Sequence, residues 1–101
     1  MAKVSLRLFV SGRSAKPREV VAEVQRMLDA RLSEPTDIEI VDVLERPDIA
    51  ERDRILATPT LLRFSPPPPR RVIGDLGDAE ELLAYLLPSD ESEESEESLA
   101  V

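Results

Sequence analysis

Thr60-Leu61-Leu62-Arg63-Phe64-Ser65-Pro66-Pro67-Pro68-Pro69-Arg70-Arg71-Val72-Ile73-Gly74 is the stretch on which the architecture turns. Thr60 to Phe64 reads as a strand, and Arg71-Val72-Ile73 as a second, short one stopped by Gly74. Four consecutive prolines have no N–H to donate to a ladder and favour extended polyproline II. Pro66 to Pro69 must therefore sit between the strands. A connector that short cannot carry the crossover that parallel strands need, so these two run antiparallel.

Working back from there, Val4, Leu6, Leu8 and Val10 alternate with Ser5, Arg7 and Phe9. Period two marks a strand, and Phe9 makes its other face apolar too, which suits a central position in a sheet covered by helices. Pro17 opens a helix to about Leu32, with Val20, Val21, Val24, Met27 or Leu28, and Leu32 at helical spacing. Ile38 to Leu44 is rich in β-branched residues and reads as a second strand. One intervening helix makes this a right-handed βαβ unit with parallel strands. Pro47 opens a short helix to about Arg54. Beyond Gly74, Asp78 is an N-cap with Glu81 three residues on, ahead of Ala79, Leu82, Leu83, Leu86 and Leu87; Pro88 ends that helix. The order βαβαββα predicts an α/β, thioredoxin-like fold: a mixed four-stranded sheet with helices on both faces.

The chain has 101 residues, 13 Lys plus Arg, 21 Asp plus Glu, no His and no Cys, for a net charge of −8. Six of those acids and no base lie in residues 88–101, so the tail carries −6 and the body −2. The division predicts a domain over 1–88 and a disordered acidic tail over 89–101, too polar to bury apolar area against the entropy of ordering. Its last residues, Ser98-Leu99-Ala100-Val101, read as a frayed end or as a short peptide ligand. An acidic chain with three aromatics lacks the cationic face and stacking platform of a nucleic-acid binder, and a cationic face for anionic membranes. Without Cys, disulfides, thiol catalysis and thiolate metal sites are excluded, and without His the commonest metal ligand and general base near neutrality is missing. With no long apolar run, the reading is a soluble, cytoplasmic protein without cofactor or metal. Gly74-Asp75-Leu76-Gly77-Asp78 has too few oxygens at loop spacing for calcium.

Two stretches carry a family resemblance. Leu56-Ala57-Thr58-Pro59-Thr60-Leu61, followed by Pro66-Pro67-Pro68-Pro69-Arg70-Arg71-Val72-Ile73-Gly74-Asp75-Leu76, resembles the signature of the KaiB family of circadian-clock proteins. Leu8-Phe9-Val10-Ser11-Gly12 and Val41 to Pro47 resemble that family's first strand with its loop and its second strand with its turn. The resemblance spans about residues 4–83. It implies a non-enzymatic binding protein that docks on the ATPase ring of KaiC, with KaiA or a sensor histidine kinase as further partners. It also implies fold switching between a resting tetramer and a thioredoxin-like monomer, hence a monomer or reversible homo-oligomer. Gly74, Asp75, Pro59 and Pro88 are the structural or switch positions. Two departures matter. Pro88-Ser89-Asp90-Glu91-Ser92-Glu93 stands where the resting fold has its last strand, which predicts that the thioredoxin-like form dominates. Glu39 stands where the family commonly has a Lys used against KaiC, which favours a related KaiC-type ATPase or a stress-linked role.

Residues 54–73 hold Arg54, Arg63, Arg70 and Arg71 and no acid. They read either as ordinary solvated charges or as a cationic patch for an acidic protein face, which Glu39 and Asp48 of the second strand and helix would join. Pro59 is cis by resemblance to thioredoxins, or a trans strand-entry proline on local sequence alone. Asp42, inside an apolar strand, reads as a buried carboxyl with a raised pKa. The rivals are an adaptor or sensor domain for a histidine kinase or stress regulator, and a redox-inactive enzyme relic with Ser11 or Ser14 as nucleophile.

Overall fold

β1 (Ser5–Val10) is the central strand. It pairs in parallel with β2 (Asp37–Asp42) on one side and antiparallel with β3 (Thr60–Ser65) on the other. β3 in turn pairs antiparallel with β4 (Arg70–Ile73), as the proline connector requires. The computed structural model describes residues 3–13, 15–32, 35–74 and 76–87, and the backbone of Glu97–Ala100. Asp75 and Pro88 lie outside the described residues. Three helices complete the expected order: α1 (Ala15–Arg31), α2 (Pro47–Arg52) and α3 (Ala79–Leu86).

Alternation assigns the side chains. Leu6, Leu8 and Val10 of β1 pack with Leu61 and Val72 against Val21, Val24 and Leu28 of α1 and Leu82 and Leu86 of α3. This is the main core, and every residue named in it is essentially inaccessible. The opposite face has a smaller core of Phe9, Val41 and Leu62 under Ala50 of α2. Helix α3 starts as its cap predicts, with the Asp78 carboxylate accepting the Glu81 N–H at 2.9 Å. Gly77, at φ +72°, turns the chain into it, a conformation that glycine adopts freely.

Three features differ from the sequence expectation. β2 stops at Asp42 instead of Leu44, because the Asp42 carbonyl accepts the N–H groups of Glu45 (3.0 Å) and Arg46 (2.9 Å) and the chain turns. The Ser65–Pro66 and Pro67–Pro68 bonds are cis where the sequence favours extended polyproline II, and the proline segment reverses the chain between two antiparallel strands. Thirdly, the sheet has five strands, in the order β2-β1-β3-β4-β5. Glu97–Ala100 form β5, parallel to β4, with Arg70 opposite Glu97 and Ile73 opposite Ala100. The expectation of disorder over 89–101 therefore fails for these four residues; residues 89–96 and 101 lie outside the described residues. A β4 edge with unpaired N–H and C=O groups is a template for another strand, and a helix between two strands permits a parallel return. The added strand joins the thioredoxin-like sheet and leaves its four-stranded part as expected.

Candidate partner-docking surface

The loop after β1 is held by an acid. Asp42 Oδ1 accepts the N–H groups of Leu44 (2.9 Å) and Gly12 (3.1 Å). These two bonds, the Leu44 one first, hold its carboxyl below the ordinary range, with Arg18 adding to the effect. The raised pKa expected for Asp42 is thus reversed: the carboxylate is partly exposed and clamps two loops at the ends of the parallel strands. Thr58–Pro59 is cis, as the likeness to thioredoxins implied, and the Pro59 carbonyl accepts the Gly74 N–H at 2.9 Å. Lys16, Pro17, Val20 and Leu76 line a shallow hollow of about 330 Å³ beside Pro59. Ser11 is exposed in the loop after β1, and Ser14 lies outside the described residues.

The four arginines of residues 54–73 do not form one patch. Alternation puts Arg63 and Arg70 on the α3 face and Arg71 on the α2 face. Arg63 is 2% exposed and Arg70 8%. Arg63 donates to the carbonyls of Leu86 (2.8 Å), Leu87 (3.4 Å) and Pro68 (2.6 Å). Arg70 donates to the Tyr85 carbonyl at 3.2 Å and lies 5.0 Å from the centre of the Tyr85 ring. Helix α3 has no basic residue in its last turn, and two strand arginines supply the positive charge that its C-terminal carbonyls attract. Arg63 and Arg70 therefore drop out of the docking surface. A strand pattern that reads as solvated charge from sequence is a buried helix cap here.

On the α2 face the remaining charges are linked. Arg71 donates to the carbonyls of Arg54 (3.1 Å) and Asp53 (3.2 Å) at the end of α2. Arg7 donates to Glu39 and to Asp53, each at 2.8 Å, and its guanidinium lies 4.8 Å from the centre of the Phe64 ring. Burial alone lowers the Arg7 pKa, but the Asp53 and Glu39 carboxylates outweigh it and leave the group above its ordinary value. Burial likewise raises Asp53, while Arg52 and Arg7 outweigh it and hold that carboxyl low. Asp48, at the other end of α2, is exposed and paired with Arg46, which lowers its pKa. The helix closes in a Schellman arrangement: Ile55 N–H to Ala50 C=O at 2.9 Å and Arg54 N–H to Glu51 C=O at 3.1 Å. The left-handed position of that motif, commonly glycine, is Arg54 at φ +58°.

Beside α2 lies an apolar groove of about 520 Å³, lined by Val43, Pro47, Ala50, Ile55 and Leu56 with Glu51 and Arg54 at its rim. Leu56 is 97% exposed and Leu44 70%. Neither leucine is marked by its sequence pattern; Leu44 reads as the end of a strand and Leu56 only as the first residue of the family signature. An apolar centre inside a charged rim is the composition of a protein interface. A leucine this exposed beside an apolar groove is less ordinary than one standing alone on a polar surface. The surface brings together Arg54, Arg71 and, through Arg7 and Asp53, Glu39; Asp48 stands at its far end.

The sequence matches the KaiB domain model over residues 7–88. The chain belongs to the KaiB family. Among its relatives, it is 39% identical over 86 residues to "Circadian clock protein KaiB3" of Synechocystis sp., covering 85% of this chain and 84% of that one. It is 42% identical over 94 residues to "Circadian clock oscillator protein KaiB" of Prochlorococcus marinus subsp. pastoris, covering 92% and 88%. In fold it is similar to the N-terminal domain of SasA from Synechococcus elongatus (TM-score 0.64, 24% identity, 83% of this chain and 79% of that one). Chloroplastic thioredoxin z is also similar (TM-score 0.62, 20% identity, 83% and 75%). Both bear out the thioredoxin-like arrangement. The matched KaiB domain runs from within β1 to just past α3, and β5 lies outside it.

Proposed function

We propose that this KaiB-family chain is a non-enzymatic docking module of a circadian-clock or clock-related system, and that it binds the ATPase ring of a KaiC-type protein through its α2 face. The observation that carries this reading is the apolar groove beside α2, lined by Leu56, which is 97% exposed, and by Arg54. Relatives named circadian clock proteins support the setting. Docking would bury Leu56 and leave Glu51, Arg54 and Asp48 to set orientation and association rate. The module acts in the cytoplasm as a monomer or a reversible homo-oligomer; among the described residues no helix is long and apolar enough to cross a membrane.

Glu39 favours a second reading. Its carboxylate is committed to Arg7 at 2.8 Å, so this surface offers no cation where the family resemblance leads one to expect a Lys. A histidine kinase, a KaiA-type protein or a stress regulator with a face complementary to that acid is the rival partner. Pull-down and calorimetry with the KaiC-type ATPase of the same organism separate the two. The double change Leu56→Asp and Arg54→Glu is expected to weaken that complex by about thirtyfold or more, the loss typical of an interface hot spot. Undiminished binding by the double variant would remove the α2 face from the interface. Capture of a kinase in place of the ATPase favours the second reading.

A further inference from the structure

We propose that the outer edge of β4 is a docking site for an extended peptide added in parallel, and that this chain's own C-terminal strand is its resident occupant. A partner strand of the same chemistry, acidic residues followed by small and apolar ones, must displace β5 to bind. This edge is at the opposite end of the sheet from β2, so the inference does not rest on the α2 face.

Four observations support it. The pairing is explicit: β5 continues the sheet beside β4 over four residues, from Arg70 opposite Glu97 to Ile73 opposite Ala100. The occupant is an appendage, since the family domain ends at residue 88 with the β2-β1-β3-β4 sheet already complete. Charge is complementary. β4 begins Arg70-Arg71, and Glu97, which pairs opposite Arg70, closes an acidic run in the sequence, Glu93-Glu94-Ser95-Glu96-Glu97. Finally, the occupant is short. The main-chain bonds of four residues at best offset the entropy of ordering them, so such a strand stays in place mainly because it is tethered. Nine residues separate Leu87 from Glu97. A short tether sets an effective concentration in the millimolar range, enough to outcompete a dilute peptide and too little to resist a partner with further contacts. Strand addition at an exposed edge is an established mode of peptide recognition.

The test uses the full chain carrying Ser98→Pro and Leu99→Pro. Alternate residues of a strand face a given neighbour, so two consecutive prolines guarantee that one removes a donor directed at β4. Amide exchange of Arg70–Ile73 is followed by NMR, and the amides facing β3 serve as the internal control. Those facing β5 are expected to exchange about tenfold faster or more in the variant. Both proteins are then titrated with an acetylated peptide of residues 94–101. The peptide is expected to shift β4 amides in the variant and to bind the unaltered chain roughly tenfold more weakly, because the tethered strand competes. Unchanged exchange, equal affinity for both proteins, equal binding of a scrambled peptide, or shifts at β2 would each overturn the proposal. So would a concentration-dependent dimer of the unaltered chain that the prolines abolish, since the occupant would then be a second copy's tail.

Discussion

On one face of the sheet Arg63 and Arg70 meet the last carbonyls of α3; on the other Arg71 meets those of α2. The device is the same, a strand guanidinium set against the negative end of a short helix. The surroundings differ. Helices α1 and α3 cover the first face, and its arginines are buried with the core. The six residues of α2 cover only part of the second, which keeps its charges linked in a chain from Glu39 through Arg7 and Asp53 to Arg52, with Phe64 43% exposed beside it. One face is built for stability. The other leaves apolar and charged side chains exposed.

The largest expected effect tests that division directly. Arg63→Met keeps much of the side chain's bulk and removes the donors to three carbonyls in a dry site. It is expected to lower unfolding free energy by about 3 kcal/mol, since bonds to a charged group and unsatisfied buried acceptors both count. The same change at Arg71, half-buried and bonded to the carbonyls of Asp53 and Arg54, is expected to cost about 1 kcal/mol. Urea denaturation gives both values. Equal losses would mean that the two faces do not differ in the way described.

A smaller effect concerns Asp53, which joins Arg7 to Arg52. Its carboxyl is held below its unfolded value near 3.9, so the unfolded chain takes up the proton first as pH falls. The resulting stabilisation is fully present above about pH 5 and is lost as pH drops through the folded value. Asp53→Asn is expected to cost about 1 kcal/mol at pH 7 and progressively less in acid. In the unaltered chain, urea midpoints should stay flat from about pH 6 to 8, because there is no His to titrate.

The elements were legible because each had a local cause on the page: alternation for β1, a capping acid for α3, prolines that could only separate two strands. Three things were not. Sequence adjacency grouped Arg54, Arg63, Arg70 and Arg71, but a strand sends neighbouring residues to opposite faces, and only the placement of α3 shows that one face is closed over Arg63 and Arg70. The tail's composition argued against order, and β5 forms on main-chain pairing that composition does not encode. Leu56 escapes notice for a related reason: a single leucine acquires meaning only when the end of α2 sets it, exposed, at an apolar groove.

The smallest expected effect is also the one that bears most on the open face. Arg54 occupies a left-handed position that costs an L-residue about 1–2 kcal/mol, and a glycine there avoids the clash while losing more backbone freedom on folding. Arg54→Gly is therefore expected to stabilise the fold by about 0.5–1 kcal/mol, with the Schellman bonds of Arg54 and Ile55 kept. Strained positions persist where the side chain has another use. If Arg54 is a contact on the α2 face, the stabler glycine variant binds its ATPase partner roughly tenfold more weakly, the loss of one good interface residue. Greater stability with unchanged affinity would leave the groove and Leu56 in the docking surface and take Arg54 out of it.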